Sequence, residues 1–247
     1  MYLKKLEDGI IVDENDLLSI ENLGNDILIR KIKVDNKKYV QIKENECVVL
    51  YNTNKILDQK DEAGMYEIVD VQNIEKTSLE NWNFEIQKAE DEETGLLFIN
   101  TAEIVNNKFY IRNPITYTDW SYEEEPFESK VKVEGIFNFK IIKPENFLKI
   151  VIGLREHYSK PELLEQVRIY ILKSIEEGIK ELSEVFKIDI STFVNKIHEL
   201  DIKVSQNNYD EKLLSKGIKV TYFDLNKIDV DEETKMILEI EEKYKSE

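Results

Sequence analysis

One stretch, residues 130–148, constrains the fold of this chain more than any other. Its sequence is KVKVEGIFNFKIIKPENFL. Apolar residues and Gly135 occupy alternate positions from Val131 to Ile141, and charged or amide side chains fill most positions between them. This alternation is typical of a β-strand with one buried face. Pro144 ends the alternation, and the ENFLKIVIGL that follows predicts a helix. A strand buried on one face needs a second layer of structure to cover it.

The same alternation makes an expectation for individual side chains. Four apolar residues should be buried, namely Val131, Val133, Phe137 and Phe139. Two lysines between and after them, Lys132 and Lys140, should be exposed. Gly135 should allow a neighbouring strand or helix to approach closely, or should mark a bulge.

The remaining sequence has two textures. Residues 25–143 contain short runs rich in Ile, Val, Tyr and Phe, separated by clusters of Asn, Asp, Gly and Lys, which predict strands. Within this region IVNNKFYI predicts a hairpin that turns at Asn106 and Asn107. Residues 144–216 are helical in pattern, with apolar residues every three or four positions between 162 and 186, including Val185 and Phe186 at the end. Further helices are predicted over 191–204 and 208–216, the latter stopping at Gly217.

These elements predict an α+β fold, with a mainly antiparallel mixed sheet and helices packed on one side. Residues 26–230 are predicted to form a single domain, which is β-rich over 26–143, helical over 144–216 and completed by a returning strand over 217–228. Residues 1–25 form a separate N-terminal segment, and residues 231–247 form a C-terminal helix whose early acids suit a helix N-terminus.

The net charge of the chain disfavours two classes of partner. The 247 residues include 51 acids and 34 bases, for a net charge of −17. This balance disfavours nucleic acid, whose binding needs Lys and Arg at the phosphates, and direct binding to anionic lipid. The N-terminus lacks the apolar run of a signal peptide, and no run approaches the ~20 apolar residues of a spanning helix. We expect a cytoplasmic protein, and we expect Cys47, the one cysteine, to be a small buried apolar residue.

Motifs for catalysis and metal binding are absent from the sequence. The eight glycines are too far apart for a phosphate-binding loop, and neither His157 nor His198 belongs to an H-E-x-x-H motif. We therefore predict no catalytic, cofactor-binding or metal-binding residue. The best local candidate for chemistry is TDWSYEEEP at 118–126, where a hydrolase could use Asp119, Trp120, Tyr122 and Glu123. A loop with an anchoring aromatic residue is the favoured interpretation of that stretch.

Five stretches, in this order, carry a family resemblance: VQIKENECVVLYNTNKILD, EAGMYEIVDVQNIE, LLFINTAEI with NNKFYIRNPITYTD, VKVEGIFNFKIIKPENFLKIVIG, and GIKVTYFDLNKIDVDEET. They resemble the SPFH/Band 7 superfamily of stomatin, prohibitin, flotillin and HflK/C, and within it the bacterial YdjI-like group. The resemblance covers roughly residues 26–240 and is poor over 1–24. The sequence has neither the long coiled coil nor the zinc ribbon of many relatives.

The resemblance implies a non-catalytic scaffold without a cofactor, which forms homo-oligomers. It would be recruited to the inner, cytoplasmic face of the membrane through a membrane-protein partner, in membrane organisation or envelope stress. Some YdjI-like proteins carry the label "virion core protein", which implies the alternative of a phage- or virion-related structural or interaction protein. An unrecognised hydrolase at 118–126 is the third hypothesis.

The C-terminal helix is the predicted self-association surface. Its apolar residues follow helical spacing and form a stripe, consisting of Met236, Ile237, Ile240 and Tyr244. In SPFH relatives a long assembling helix begins at this place. Two other apolar segments, GIIV at 9–12 and ENFLKIVIGL at 145–154, could insert shallowly into a membrane, although burial in the core is the favoured interpretation of both.

Overall fold

The computed structural model of the chain describes residues 1–7, 9–18, 27–34, 38–52, 55–69, 94–120, 126–149, 157–195 and 209–245. The chain divides into two compact units. The first comprises Met1–Ala102 and Ile141–Leu163, and the second comprises Glu103–Lys140 and Leu164–Glu247. The single domain proposed for residues 26–230 stays a prediction.

Two sheets make up the first unit. One contains β1 (Tyr2–Lys5), β2 (Leu17–Leu18), β4 (Tyr39–Ile42) and β7 (Gly64–Val69), in the order β1-β7-β4-β2. The other contains β3 (Ile27–Lys33), β5 (Glu46–Asn52), β6 (Lys55–Lys60), β8 (Thr94–Asn100) and β12 (His157–Ser159), in the order β12-β3-β8-β5-β6. A 3₁₀ turn, Glu14–Asp16, precedes β2, and a short helix, α1 (Pro144–Phe147), precedes β12.

The core of the first unit lies between these two sheets. Buried apolar side chains from both sheets form one cluster, with Leu3, Val40, Ile42 and Tyr66 from the first sheet and Val48, Leu50, Leu96 and Phe98 from the second. This arrangement is that of two sheets packed face to face. Cys47 is fully buried, as predicted, and burial together with Asp61 and Glu145 raises the pKa of its thiol to about 12. The thiol is therefore protonated at neutral pH.

A third sheet forms the second unit. It contains β9 (Ile104–Tyr110), β10 (Ile115–Asp119), β11 (Phe127–Ile141) and β13 (Ile218–Val230). The long strand β11 pairs with β13 on one edge and with β9 and β10, placed end to end, on the other. The helices that follow in sequence are α2 (Lys160–Glu184), α3 (Ile190–Asn195), α4 (Tyr209–Ser215) and α5 (Glu232–Lys245).

Helices cover the apolar face of this sheet. The Tyr117 ring of β10 lies 4.7 Å from the Phe193 ring of α3, and its hydroxyl donates a 2.6 Å hydrogen bond to the carbonyl of Ile188. The Ser183 side chain of α2 bonds the backbone of Thr118 in β10. The predicted α+β fold with mainly antiparallel pairing is confirmed, and its strands lie in three sheets where the sequence suggested one.

The burial of β11 follows the alternation in the sequence. Val131, Val133, Phe137 and Phe139 are buried and Lys140 is exposed, as predicted. Lys132 is half-buried, so its predicted exposure is wrong. Its strand is central in the sheet, with neighbours on both edges, and adjacent side chains shield the apolar stem of a lysine in such a position.

Gly135 is required by close approach. A Cβ at this position would lie 2.2 Å from the backbone oxygen of Asp224 in β13 and 2.5 Å from the ring of Phe109 in β9. Of the predicted interpretations, the structure therefore supports the approach of a neighbouring strand. The Phe109 ring, which occupies the space above Gly135, stacks on Phe223 with their centroids 5.5 Å apart.

The predicted hairpin at residues 104–111 is wrong. Ile104–Tyr110 is one continuous strand, and its register against β11 shifts between Phe137 and Phe139. Asn106 does adopt a positive φ of 57°, but it does so in a β-bulge, where the Asn138 side chain accepts a hydrogen bond from its N–H. The Asn107 amide donates to the carbonyls of Ile104 and Phe137 and so satisfies the backbone at the bulge.

The long helix α2 lies where it was predicted, but it ends at Glu184, before the predicted end at residue 186. Its predicted stripe is buried or, at Leu164 and Tyr170, half-buried as far as Leu182, whereas Val185 and Phe186 are exposed. Both lie beyond Glu184, the last helical residue, where Lys187 takes a φ of 48° and the chain leaves the helix axis. Of the predicted helix over 191–204, the structure describes only the beginning, in which Phe193 is buried, and residues 196–204 lie outside the described residues.

Candidate self-association surface

The C-terminal helix α5 begins at a well-formed cap. The Asp231 carboxylate accepts hydrogen bonds from the Thr234 N–H at 2.9 Å and from the Thr234 hydroxyl at 2.8 Å. An aspartate in this position satisfies N–H groups that have no partner inside the helix. Glu232 and Glu233 in the first turn add negative charge where the helix dipole favours it.

The same cap fixes the helix to β11. The second Asp231 oxygen accepts a 2.6 Å hydrogen bond from the Lys130 N–H, and the Asp231 N–H donates to the Lys130 carbonyl at 3.2 Å. The Thr234 hydroxyl also bonds the Ser129 hydroxyl at 2.8 Å, and both side chains are buried. The first turn of α5 is therefore part of its own unit.

These contacts change the acidity of Asp231. Its partial burial alone would raise the pKa, but hydrogen bonds from the N–H groups of Thr234 and Lys130 and from the Thr234 hydroxyl stabilise the carboxylate more. The pKa of Asp231 consequently lies below its ordinary value. The side chain is charged at neutral pH and holds the start of the helix in place.

The predicted stripe lies along the flank of α5. Met236 is 64% exposed and Ile240 is 53% exposed, and the two are about 40° apart around the helix axis. Buried Thr234 faces nearly the opposite direction from Met236. Ile237 is half-buried at the inner margin of the stripe, and the Tyr244 side chain lies outside the described residues. Met236 and Ile240 therefore form an apolar outer surface on a helix whose start is fixed.

Of the hydrolase candidate at 118–126, the structure describes residues 118–120 and 126. Asp119 is only 2% exposed and accepts a 2.7 Å hydrogen bond from the Ile190 N–H at the start of α3. Trp120 lies beneath the Lys187 ammonium, which is 4.9 Å from the ring centroid. Tyr122 and Glu123 lie outside the described residues. Asp119 thus joins the end of β10 to the start of α3, and Trp120 packs against the Lys187 side chain that precedes α3.

With this geometry in place, comparison with known proteins decides the family. Residues 29–245 match the SPFH domain-Band 7 family. The chain belongs to the SPFH/Band 7 family. A comparison with curated proteins finds no match. The match leaves out β1, β2 and the first two residues of β3, and it includes α5 up to its last described residue.

Membership supports the coarse functional prediction. The SPFH/Band 7 family is a scaffold-type family and is generally non-catalytic. Within the described part of the chain, no group of three or more His, Cys, Asp or Glu residues is placed to hold a metal ion. The described helices include none that is long and apolar enough to cross a membrane. The His157 and His198 side chains lie outside the described residues.

Sequence reasoning found the stripe but missed how its helix is held. The spacing of Asp231 and Thr234 is that of a capping residue and the third residue of the following helix, which is a signal readable from sequence. The partner strand carries no comparable signal, because Ser129 and Lys130 lie about a hundred positions away in the chain. The fold alone brings them together.

Proposed function

We propose that this SPFH/Band 7 protein is a non-catalytic scaffold that forms homo-oligomers through the outer surface of α5. The observation that carries the proposal is the exposure of Met236 and Ile240 on a helix whose first turn is fixed to β11. Because the first turn of the helix is already held in place, covering this surface with a second copy orders less backbone than docking a free helix would, which favours association.

The expected association is weak. Two side chains on one short helix cover far less than the ~800 Å² per partner of a standard interface, so we expect a dissociation constant in the micromolar range. The proposed cellular role is membrane organisation or envelope stress at the cytoplasmic face of the membrane. A membrane-protein partner would provide recruitment, since a net charge of −17 disfavours direct binding to anionic lipid.

Sedimentation velocity over a range of concentrations tests self-association. Met236→Asp combined with Ile240→Asp should abolish the concentration-dependent increase in sedimentation coefficient, while leaving the melting temperature nearly unchanged because both side chains face solvent. Lys235→Asp is the matched control, since it changes the net charge by the same amount at an exposed position elsewhere on α5. It should associate like the wild type.

Two results would contradict the proposal. One is a wild-type protein that stays monomeric at every reachable concentration. The other is a Met236→Asp/Ile240→Asp variant that associates as the wild type does, which would place the interface elsewhere.

A further inference from the structure

A groove in the second unit lies between helix α2 and the β9–β10 segment, and it extends from the outer edge of that segment across β11 to β13. It encloses about 1140 Å³ and is lined by residues 108–116 on the strand side, by six residues of α2, and by parts of β11 and β13. No residue of the groove belongs to α5, so the groove is separate from the proposed self-association surface.

Helix α2 closes the edge at two points and leaves it open between them. At one end the Arg168 guanidinium donates to the Lys108 carbonyl at 3.2 Å. At the other end the Ser183 hydroxyl accepts from the Thr118 N–H at 2.9 Å and donates to the Thr118 carbonyl at 2.8 Å. The helix between Arg168 and Ser183 is roughly 22 Å long at 1.5 Å per residue. The groove is the open interval beside it.

The strand register shows which backbone groups face this interval. The Ile111 N–H donates to the carbonyl of Val133 in β11. In the adjoining part of β9, the backbone N–H and C=O groups of odd-numbered residues such as Phe109 therefore point towards β11. Tyr110 is even-numbered, so its N–H and C=O groups point away from β11. The N–H and C=O groups of Thr116 in β10 also point away from β11. Within the described residues no strand pairs with this edge. Such an edge is a ready template for another strand.

The groove is more basic than the chain as a whole. Five lysines and arginines line it against three glutamates, in a protein of net charge −17. Arg168 is paired with Glu165, and Lys180 with Glu176 at 3.2 Å. Lys108 and Arg112 are exposed and form no ion pair with any described residue. Two cations thus lie beside the unpaired edge.

We propose that this groove binds an extended acidic segment of a partner protein. The segment adds a strand to the outer edge at Tyr110, and its carboxylates meet Lys108 and Arg112. Addition of a strand uses backbone hydrogen bonds for affinity and side-chain positions for specificity. The outward N–H and C=O groups of Tyr110 and Thr116 match those of a peptide backbone, whereas a small anion would use only the cations. The proposal builds on the scaffold role, because it supplies that role with a partner site.

The test uses a fluorescent, end-blocked peptide of alternating Thr and Glu with about seven residues, which spans the groove at ~3.3 Å per residue. Fluorescence anisotropy should give saturable binding to the full chain that weakens as salt rises. Lys108→Glu combined with Arg112→Glu should weaken binding by about tenfold or more. Lys212→Glu combined with Lys219→Glu, a pair of exposed lysines outside the groove, should bind like the wild type.

A second arm tests the backbone contacts. The same peptide with alternate amides N-methylated, on the edge that would pair, should lose most of its affinity. Bound unmodified peptide should slow hydrogen exchange at the Tyr110 amide. Binding that survives methylation, binding unaffected by the Lys108 and Arg112 changes, or full competition by inorganic phosphate would overturn the proposal, as would no binding at all.

The result is separable from self-association. The Met236→Asp/Ile240→Asp variant should bind the peptide as the wild type does, since its substitutions lie outside the groove. If that variant loses association but keeps peptide binding, both proposals stand. If association is absent in the wild type but the peptide binds, only the self-association proposal fails.

Discussion

At the scale of single residues, Phe137 is one of the large side chains in the core of the second unit. It is fully buried, and its ring centroid lies 6.3 Å from that of Phe109 and 5.9 Å from that of Phe139. Phe137→Ala should lower the free energy of unfolding by about 3–5 kcal/mol, because it removes apolar surface that folding buries and leaves a cavity in its place. Urea denaturation measures this difference.

Lys140→Ala on the same strand is the control for that experiment. Lys140 is exposed, so its replacement should change the free energy of unfolding by less than about 0.5 kcal/mol. Equal midpoints for the two variants would show that Phe137 is not in the core.

The sequence predicted such residues well wherever burial depends on strand periodicity alone. The alternation at 131–139 is local, and so the buried face of β11 was correctly identified. The exposure of Lys132 was mispredicted because its strand is central in the sheet, which no local pattern in the sequence shows. Gly135 shows what is predictable and what is not. The close approach of a neighbour was predictable, but the identity of those neighbours, Phe109 and Asp224, was not.

At the scale of elements, the cap of α5 gives a testable contribution to stability. Asp231→Ala removes the acceptor for Thr234 and for the Lys130 N–H and should destabilise the protein by about 0.5–2 kcal/mol at neutral pH. Because the folded pKa of Asp231 lies below its ordinary value of 3.8, the unfolded chain binds more protons between those two values. The contribution is therefore complete above that ordinary value and is lost as the pH falls through the folded pKa.

Unfolding curves of the wild type and the Asp231→Ala variant, recorded from about pH 7 down to about pH 2, measure this contribution. The difference between the two proteins should shrink at the acid end. Glu232→Ala serves as the control, because Glu232 is exposed in the first turn and leaves the Asp231 bonds intact. A constant difference across the pH range would mean that the carboxylate charge of Asp231 does not stabilise the cap.

Element types were predictable from periodicity, whereas turns and bulges were not always distinguishable. Paired asparagines at 106–107 are typical of a hairpin turn, and Asn106 does take a positive φ. The same φ serves a bulge when the chain continues along a partner strand. That choice is decided by Phe137 and Phe139 of β11, which lie some thirty positions further along the chain.

At the scale of the whole molecule, pairing between distant segments was the least predictable property. The division of strands among three sheets, the placement of β9 and β10 on one edge of β11, and the groove beside α2 all depend on register and packing. The net charge and the family resemblance were readable from the sequence because neither depends on which strands are neighbours. The resemblance led to the SPFH/Band 7 assignment, and the net charge led to the expectation about membranes.

That expectation can be tested with lipid vesicles. At a net charge of −17 the purified protein should be repelled by vesicles of anionic lipid, and only background amounts should co-sediment at physiological salt. Lowering the ionic strength should not create binding, because screening of the repulsion decreases. Vesicles of neutral lipid provide the control, since they present an apolar interior without the repulsive charge.

Binding to either kind of vesicle would contradict indirect recruitment and would point to one segment. Ile11 is 96% exposed and Ile10 is 50% exposed, whereas Phe147 and Leu148 of the other apolar candidate are buried. If vesicles do bind the protein, Ile10→Asp combined with Ile11→Asp should remove that binding, because a charged side chain does not enter the bilayer readily. Retained binding in this variant would exclude the N-terminal segment as well.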